Sequence, residues 1–214
     1  MKFGAIITAG GSSSRYGKNK LLEKIDGKEV IKYTVEAFLN TNIDEIVICG
    51  GEYLKDIFPD IKFTQGGATR QESVYNGLNS INCDYVLIHD GARPVISKEI
   101  IEKVKIAVVD KKAVSVMTKT TDTIKEVDQN GKIIRTIDRS KLYNTQTPQA
   151  FEYNLIKAAH EKLKGQNYTD DCGMLEALGY SVYTVEGDYK NIKITYPSDI
   201  ELAKVYLKDK NERS

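Results

Sequence analysis

The sequence predicts an α/β fold of Rossmann-like type, with one mostly parallel sheet, helices on both of its faces and a protruding β-hairpin arm. Two observations predict the sheet. Short apolar runs alternate with stretches whose apolar residues recur at helical spacing, and several runs end in glycine-rich or polar loops. Strands that alternate with helices form parallel sheets covered on both faces, and ligands bind beyond the carboxyl ends of those strands.

Composition narrows the class of protein. The 31 lysines and arginines nearly balance the 30 aspartates and glutamates, which leaves a net charge of +1. We therefore expect no nucleic acid and no membrane among the partners, because no basic field surrounds the chain as a whole. A cytoplasmic location is expected, since no signal or transit pattern opens the sequence. The 3 cysteines and 2 histidines are too few for a disulfide framework or a histidine-rich metal centre.

The first half of the chain follows the alternating pattern closely. An apolar strand at 3–8 enters a glycine and serine loop, and Ile31, Val35 and Phe38 then recur at helical spacing. The predicted elements that follow are a strand at 45–49, a helix at 53–58, a strand at 61–64, a helix from Arg70 through Ile81, a strand at 85–88, a helix at about 97–109 and a strand at 113–118. These elements predict repeated β-α-β units.

The segment at about 120–145 interrupts the alternation. Two β-rich runs at 123–127 and 132–137 flank Asn130-Gly131, and Asn-Gly between such runs is a strong hairpin signal. An isolated two-stranded hairpin is marginally stable in water, so we expect this arm to pack on a second subunit. A homodimer is therefore predicted.

The last part of the chain returns to alternation. The predicted elements are helices at 151–163 and 170–178, strands at 181–185 and 191–195, and a final helix at 197–207 that precedes a polar tail. The whole chain, 1–214, is predicted to form one domain that carries the arm.

The loop at 10–20 has the composition of an anion site. Gly10 and Gly11 let backbone N–H groups approach a ligand, serines at 12–14 add small donors, and Arg15 and Lys20 add positive charge. We expect a phosphate ligand, although neither the Walker A spacing nor the dinucleotide-binding fingerprint is present. The alternative is a flexible turn with surface lysines.

Several short motifs together resemble those of a known family. They lie, in chain order, at 9–15 with Lys20, 66–74, 89–94, 138–139, 146–149, 169–170 and 191–195. In this order they resemble the cytidylyltransferases of the 2-C-methyl-D-erythritol 4-phosphate pathway. The resemblance implies a single nucleotidyltransferase domain that moves CMP from CTP to the phosphate of methylerythritol phosphate, with release of pyrophosphate and use of Mg²⁺. The attacking group is itself a phosphate, with a second pKa of about 6, so no general base is needed.

The resemblance also implies roles for individual residues. The catalytic cations would be Arg15, Lys20 and Lys193. The nucleotide would be bound by Ala9, Gly10, Gly11, Ser12, Gly67, Arg70, Ser73, Asp90 and Gly91, with Asp90 also contacting Mg²⁺. The acceptor would be bound by Arg93, Thr123, Arg139, Thr147 and Thr169, partly through the arm of the partner subunit.

Other interpretations of these residues and of the function stay open. Asp90 could cap a helix or pair with Arg93, Lys193 could face solvent, Thr147 could be an ordinary strand residue and Thr169 could cap a helix. A sister family that acts on ribitol 5-phosphate for wall teichoic acid shares several motifs. A non-catalytic nucleotide-binding protein is a more remote alternative. A glycosyltransferase is disfavoured, because the chain has no Asp-x-Asp.

Overall fold

The structure is a computed structural model, and it describes residues 1–10 and 16–211. Its main sheet has seven strands in the order β11-β7-β10-β6-β1-β4-β5. These strands are β1 (Phe3–Ala9), β4 (Glu45–Gly50), β5 (Lys62–Gln65), β6 (Tyr85–Asp90), β7 (Ala113–Lys119), β10 (Tyr143–Glu152) and β11 (Tyr183–Glu186). Two small hairpins accompany the sheet, β2 (Lys24–Ile25) with β3 (Lys28–Glu29), and β8 (Lys125–Val127) with β9 (Ile133–Thr136).

Helices connect the strands and cover the sheet. They are α1 (Val30–Leu39), α2 (Tyr53–Ile57), α3 (Arg70–Leu78), α4 (Lys98–Lys111), α5 (Tyr153–Lys162), α6 (Asp171–Ala177) and α7 (Ser198–Asn211), and a 3-10 turn spans Arg139–Lys141. Within the described residues, no helix has both the length and the apolar character needed to cross a membrane.

The sheet is parallel except at one strand. β1 pairs in parallel with both β4 and β6, β4 with β5, and β11 with β7. β10 lies between β6 and β7 and runs antiparallel to both. The predicted α/β class, with a mostly parallel sheet, is therefore confirmed.

The core lies on both faces of the sheet, because successive side chains of a strand point to opposite faces. Ala5 and Ile7 of β1 pack on one face with residues of α1, α2 and α4. Ile6 packs on the other face with residues of α3, α5 and α6. The cysteines at 49, 83 and 172 are buried and free.

Two predicted elements differ in kind from the structure, and the small hairpin of β2 and β3 was not predicted. The chain at 143–152, part of which was predicted as the start of a helix, is the strand β10, and α5 begins only at Tyr153. Pro148 makes this strand difficult to recognise in the sequence, because proline cannot donate to a strand ladder. The pairing with β7 shifts register between Thr145 and Gln149, which accommodates the proline.

The segment 191–195 is the second difference, because it forms a loop rather than the predicted strand. Its shape is set by tertiary contacts, which a local pattern does not reveal. The Asn191 side chain donates from Nδ2 to the Thr147 carbonyl at 2.9 Å. The Ile194 N–H donates to the Ala92 carbonyl at 2.9 Å. The loop is thereby fixed against the residues after β6 and against the middle of β10.

Candidate active site

Three neighbouring strands end at a glycine or lead directly into one at the carboxyl edge of the sheet. β1 leads into Gly10, β4 ends at Gly50 and β5 leads into Gly66. A Cβ placed on Gly66 would lie 3.5 Å from Gly50 Cα and 3.7 Å from Gly10 Cα, so these backbones approach one another closely. A Cβ on Gly50 would lie 2.8 Å from the Ala9 carbonyl oxygen, which leaves no room for a larger residue there.

A cavity of about 290 Å³ opens beside these glycines. It is lined by Ala9, Gly10, Asn19, Gly50, Gly51, Tyr53, Gln65, Gly66 and Gly67. Walls made of glycine present backbone N–H and C=O groups instead of side chains, so the main chain itself can contact the polar edge of a ligand.

The loop that carries Gly67 is held by the start of α3. The Ser73 hydroxyl donates to the Thr69 carbonyl at 2.9 Å and accepts the Gly67 N–H at 3.0 Å. Thr69 caps the helix by accepting the Glu72 N–H at 3.1 Å, and Glu72 Oε2 accepts the Ala68 N–H at 2.7 Å. The Thr69 cap and the bond from Ala68 to Glu72 together fix the loop against the cavity.

Asp90, the last residue of β6, lies at the centre of a cluster of cations. Lys193 Nζ is 2.8 Å from Asp90 Oδ2, Arg93 Nε is 3.5 Å from the same oxygen, and Arg70 Nε is 3.6 Å from Oδ1. Burial alone would raise the pKa of Asp90, but Lys193, Arg70 and Arg93 outweigh it and hold this pKa well below its ordinary value. The carboxylate is therefore ionised and the cluster carries excess positive charge.

The backbone at Asp90 is fixed by Thr147 of β10. The Thr147 hydroxyl accepts the Asp90 N–H at 3.1 Å and lies 3.0 Å from His89 Nδ1. The hydroxyl accepts from Asp90, so its own proton is available for a second bond, which it donates to Nδ1. The neutral imidazole therefore carries its proton on Nε2, which faces the Arg93 carbonyl at 3.5 Å. Burial lowers the pKa of His89 to about 3, in agreement with this neutral tautomer.

The loop that carries Lys193 is joined to the same cluster. Arg93 is buried and donates from Nη1 to the Asn191 carbonyl at 2.8 Å. The Asn191 amide in turn bonds Gln146 Oε1 at 3.2 Å and the Thr147 carbonyl at 2.9 Å. Lys193 therefore reaches Asp90 from a loop anchored on both sides.

A second carboxylate lies behind Arg70. Arg70 Nη1 is 2.7 Å from Asp171 Oδ2, and His160 Nε2 is 3.1 Å from Asp171 Oδ1. Asp171 is the first residue of α6, and its pKa is lowered because Arg70 and His160 outweigh the effect of its burial. The Arg70 guanidinium thus lies between two carboxylates from different elements.

The donor set fits a divalent metal held mostly by a ligand's own phosphates. Among residues 1–10 and 16–211, no group of three or more His, Cys, Asp or Glu side chains forms a metal cage. Asp90 Oδ1 has only distant partners, Thr8 Oγ1 at 3.5 Å and Arg70 at 3.6 Å. One carboxylate is sufficient for Mg²⁺, which takes its other ligands from phosphates and water.

The structure brings together most of the residues predicted for the site. Ala9, Gly10 and Gly67 line the cavity. Asp90, Arg70, Arg93, Lys193 and Thr147 form or adjoin the cation cluster. Lys20 lies half-buried in the turn after Asn19, a residue of the cavity wall.

Other predicted residues are placed differently. The Ser73 hydroxyl is used within its own loop, and the Gly91 N–H donates to the Thr8 carbonyl at 2.9 Å. Thr169 is exposed before α6, whose cap is Asp170. The predictions for Gly11, Ser12 and Arg15 fall outside the residues that the structure describes.

Thr123 and Arg139, predicted for the acceptor, lie on the arm. The Arg139 guanidinium donates to the Thr121 carbonyl. Within the described part of the chain, no hydrogen bond or ion pair joins either side chain to the Asp90 cluster. Their proposed role therefore requires a neighbouring copy of the chain.

Sequence reasoning did not assign some residues that the structure places at the site. Gly50, Gly51 and Tyr53 line the cavity. The Gly-Gly pair follows a buried strand, which was a usable signal for a third loop at the same edge. Asp171 and His160 could not have been found, because Asp171 contacts Arg70 from a distant part of the chain and His160 contacts Asp171.

Comparisons with known proteins agree with one another. A family model described as "IspD: 2-C-methyl-D-erythritol 4-phosphate cytidylyltransferase" matches residues 3–209. The 2-C-methyl-D-erythritol 4-phosphate cytidylyltransferase of Clostridioides difficile (strain 630) is 44% identical over an alignment covering 96% of this chain and 93% of that protein.

Solved structures are similar over almost the whole chain. The crystal structure of 4-diphosphocytidyl-2C-methyl-D-erythritol synthase from Anaerococcus prevotii is 34% identical, with a TM-score of 0.87 and coverage of 97% of this chain and 96% of that one. The 2-C-methyl-D-erythritol 4-phosphate cytidylyltransferase of Francisella tularensis is 28% identical, with a TM-score of 0.84 and coverage of 96% and 100%.

Proposed function

Because the chain belongs to the 2-C-methyl-D-erythritol 4-phosphate cytidylyltransferase family, and is thus a cytidylyltransferase of the non-mevalonate isoprenoid pathway, we propose that its reaction takes place at the Asp90 cluster. There CMP passes from CTP to the phosphate of methylerythritol phosphate. The observation that carries this proposal is an ionised carboxylate surrounded by Lys193, Arg93 and Arg70, at the edge of a glycine-lined cavity.

The cytidine of CTP occupies the cavity at 50–53 and 65–67. Gly66 and Gly67 bring main-chain groups against the pyrimidine edge, and the helix cap at Thr69 keeps those groups in position. The cavity, at about 290 Å³, is close to the lower end of the range of about 300–1,000 Å³ that is usual for small-molecule sites.

The triphosphate lies between the loop at 10–20 and Asp90. Gly10 starts this loop at the carboxyl end of β1, next to β6, where Thr8 pairs in register with Asp90. Gly11, Ser12, Arg15 and Lys20 are proposed to line the phosphates, with Arg15 and Lys20 neutralising the charge of the departing pyrophosphate.

The chemistry requires two repelling anions to be aligned. The acceptor phosphate is mostly ionised near neutrality, with a second pKa of about 6, so it attacks the α-phosphorus without a general base. Lys193 is the most exposed of the three cations around Asp90, with 40% of its side chain accessible, and it can turn from Asp90 to the phosphates. The cluster thereby holds nucleophile and nucleotide together.

Mg²⁺ is proposed as the metal, with Asp90 as its protein ligand. When bound, it would neutralise phosphate charge and polarise the phosphorus that is attacked. Asp90 contributes an ionised oxygen, Oδ1, whose neighbours Thr8 and Arg70 lie 3.5 Å and 3.6 Å away.

A homodimer is proposed to complete the acceptor site. Val127, Ile133 and Ile134 of the arm are all more than half exposed, and neighbouring positions of one strand point to opposite faces. Apolar side chains on both faces of the arm favour their burial against a second copy of the chain. The arm of that copy would bring Thr123 and Arg139 to the acceptor. Arg93, Thr147 and Thr169 would complete the pocket from this chain.

Lys193 tests this proposal directly, with Lys190 of the same loop as its matched control. Lys190 pairs with Asp209 at 2.9 Å, away from Asp90. Lys193→Ala should lower kcat by about 10²-fold or more, because its charge is used in the transition state. Lys190→Ala should stay within about threefold of the wild type, as a surface pair contributes little. Equal effects of the two substitutions on kcat would contradict the proposal.

A further inference from the structure

We propose that Asp171 is a positioning residue, which draws the Arg70 guanidinium away from Asp90 and so keeps one Asp90 oxygen open for the metal–nucleotide complex. This inference rests on the proposed function of Asp90. It assigns a role to a buried carboxylate that does not itself touch the cavity or the reacting groups.

The first step is the unequal sharing of Arg70. Its Nη1 lies 2.7 Å from Asp171 Oδ2, whereas its Nε lies 3.6 Å from Asp90 Oδ1. Charge-assisted bonds between guanidinium and carboxylate are normally about 2.7–2.9 Å long. Arg70 therefore makes its closest ion contact with Asp171 and is only loosely associated with Asp90.

The second step concerns the two oxygens of Asp90. Oδ2 is close to Lys193 at 2.8 Å, while the partners of Oδ1 in the described residues lie at 3.5 Å or more. Without Asp171, Arg70 would close on Oδ1, because a partly buried cation stays paired. Asp171 supplies that second carboxylate.

The third step is the rigidity of Asp171 itself. Only 1% of its surface is exposed, and its N–H donates to Gln149 Oε1 at 3.1 Å. Gln149, fully buried on β10, also donates to Asp170 Oδ2 at 2.6 Å. The start of α6 is thus pinned to the strand that adjoins β6, so Asp171 cannot follow Arg70 if the guanidinium moves.

The same arrangement couples the two halves of the site. Arg70 begins α3 directly after the Gly67 loop, which is proposed to hold the nucleotide. Asp171 begins α6 just after Thr169, which is proposed to contact the acceptor. Their ion pair therefore fixes the distance between the two binding segments.

The test compares CTP affinity with and without Mg²⁺ by calorimetry, which needs no turnover. Its readout is the factor by which Mg²⁺ tightens CTP binding. In Asp171→Asn, Arg70 loses its closest carboxylate and should move toward Asp90, and this factor should fall by about tenfold, the usual size of such an effect on metal affinity. In the double variant Asp171→Asn with Arg70→Gln, it should return to within about threefold of the wild type.

The control is His160→Gln, which removes the partner of the other Asp171 oxygen and leaves the Arg70 contact in place. It should leave the Mg²⁺ factor within about twofold of the wild type even if it lowers thermal stability. The double variant buries no unpaired charge, so it keeps the proposal testable if Asp171→Asn alone does not fold.

The outcomes separate the inference from the proposed function. A wild-type Mg²⁺ factor near one would overturn the metal role of Asp90, and the role of Asp171 with it. If the wild-type factor is well above one, two results would overturn the positioning role alone. One is an unchanged factor in Asp171→Asn, and the other is a double variant as impaired as Asp171→Asn. If only the double variant folds, a factor far below the wild type would likewise overturn it.

Discussion

At the scale of single residues, the position of Asp90 depends on one hydroxyl. Thr147 accepts the Asp90 N–H at 3.1 Å and donates to His89 Nδ1 across 3.0 Å, and all of these groups are buried. Buried polar groups that lose a partner pay the full cost of desolvation. Thr147 therefore shapes the site from within the protein, whether or not it also contacts the acceptor.

Thr147→Val should destabilise the protein by about 2–4 kcal/mol, because it leaves the Asp90 N–H and His89 Nδ1 without partners. Thr147→Ser keeps the hydroxyl and should cost only about 1 kcal/mol for the lost methyl group. Urea denaturation of both variants measures the difference. Equal losses would show that these two hydrogen bonds contribute nothing to stability.

His89 should make the protein less stable in acid. Burial lowers its pKa from 6.5 to about 3, so below pH 6.5 the imidazole binds a proton in the unfolded chain but stays neutral in the native protein. The free energy of unfolding should fall as pH drops through this window, by an amount on the order of 4 kcal/mol. The depressed pKa of Asp90 acts in the same direction below pH 3.8.

NMR of the imidazole rings checks this directly, since the chain has 2 histidines. The His89 resonances should stay constant from pH 8 to pH 4, and the spectrum of His160→Gln assigns them. A His89 titration centred near its ordinary pKa would contradict the buried neutral tautomer.

At the scale of elements, the sequence predicted the strands and loops that are encoded in local sequence patterns. Apolar runs that end in glycine, such as the one before Gly50, identified the parallel strands and the loops at their carboxyl ends. β10 escaped prediction because polar residues and Pro148 occupy a strand whose burial comes from β6 and β7 on either side. Its side chains Thr147 and Gln149 accept hydrogen bonds from the Asp90 and Asp171 N–H groups. These bonds join distant parts of the chain.

The arm is the element whose proposed role depends on a second copy. Ile134 is 56% exposed on β9, and Ile106, 75% exposed on α4, is a matched apolar position outside the arm. Ile134→Glu should shift the protein from dimer to monomer and raise the KM for the acceptor, because a buried charge disfavours an apolar interface. Ile106→Glu should change neither.

Light scattering after size exclusion gives the mass of each variant, and steady-state kinetics gives the KM. An Ile134→Glu variant that keeps both the dimeric mass and the wild-type KM would exclude the arm from the interface.

At the scale of the whole molecule, the charge distribution is local. A net charge of +1 provides no general attraction for anions, yet three cations converge on Asp90 at one edge of the sheet. This edge is formed by the neighbouring ends of β1, β4, β5 and β6, which places the cavity beside the charged cluster. The fold thus places the cavity next to a positive cluster, as the proposed binding of a base and of phosphates requires.

The most direct test is pyrophosphate release from CTP and Mg²⁺, with 2-C-methyl-D-erythritol 4-phosphate and ribitol 5-phosphate offered in parallel. A clear preference for the methylerythritol phosphate is expected, even though the fit of a branched tetritol and of a linear pentitol to one pocket differs by only about 1–3 kcal/mol. Preference for ribitol 5-phosphate, or release with neither acceptor, would contradict it.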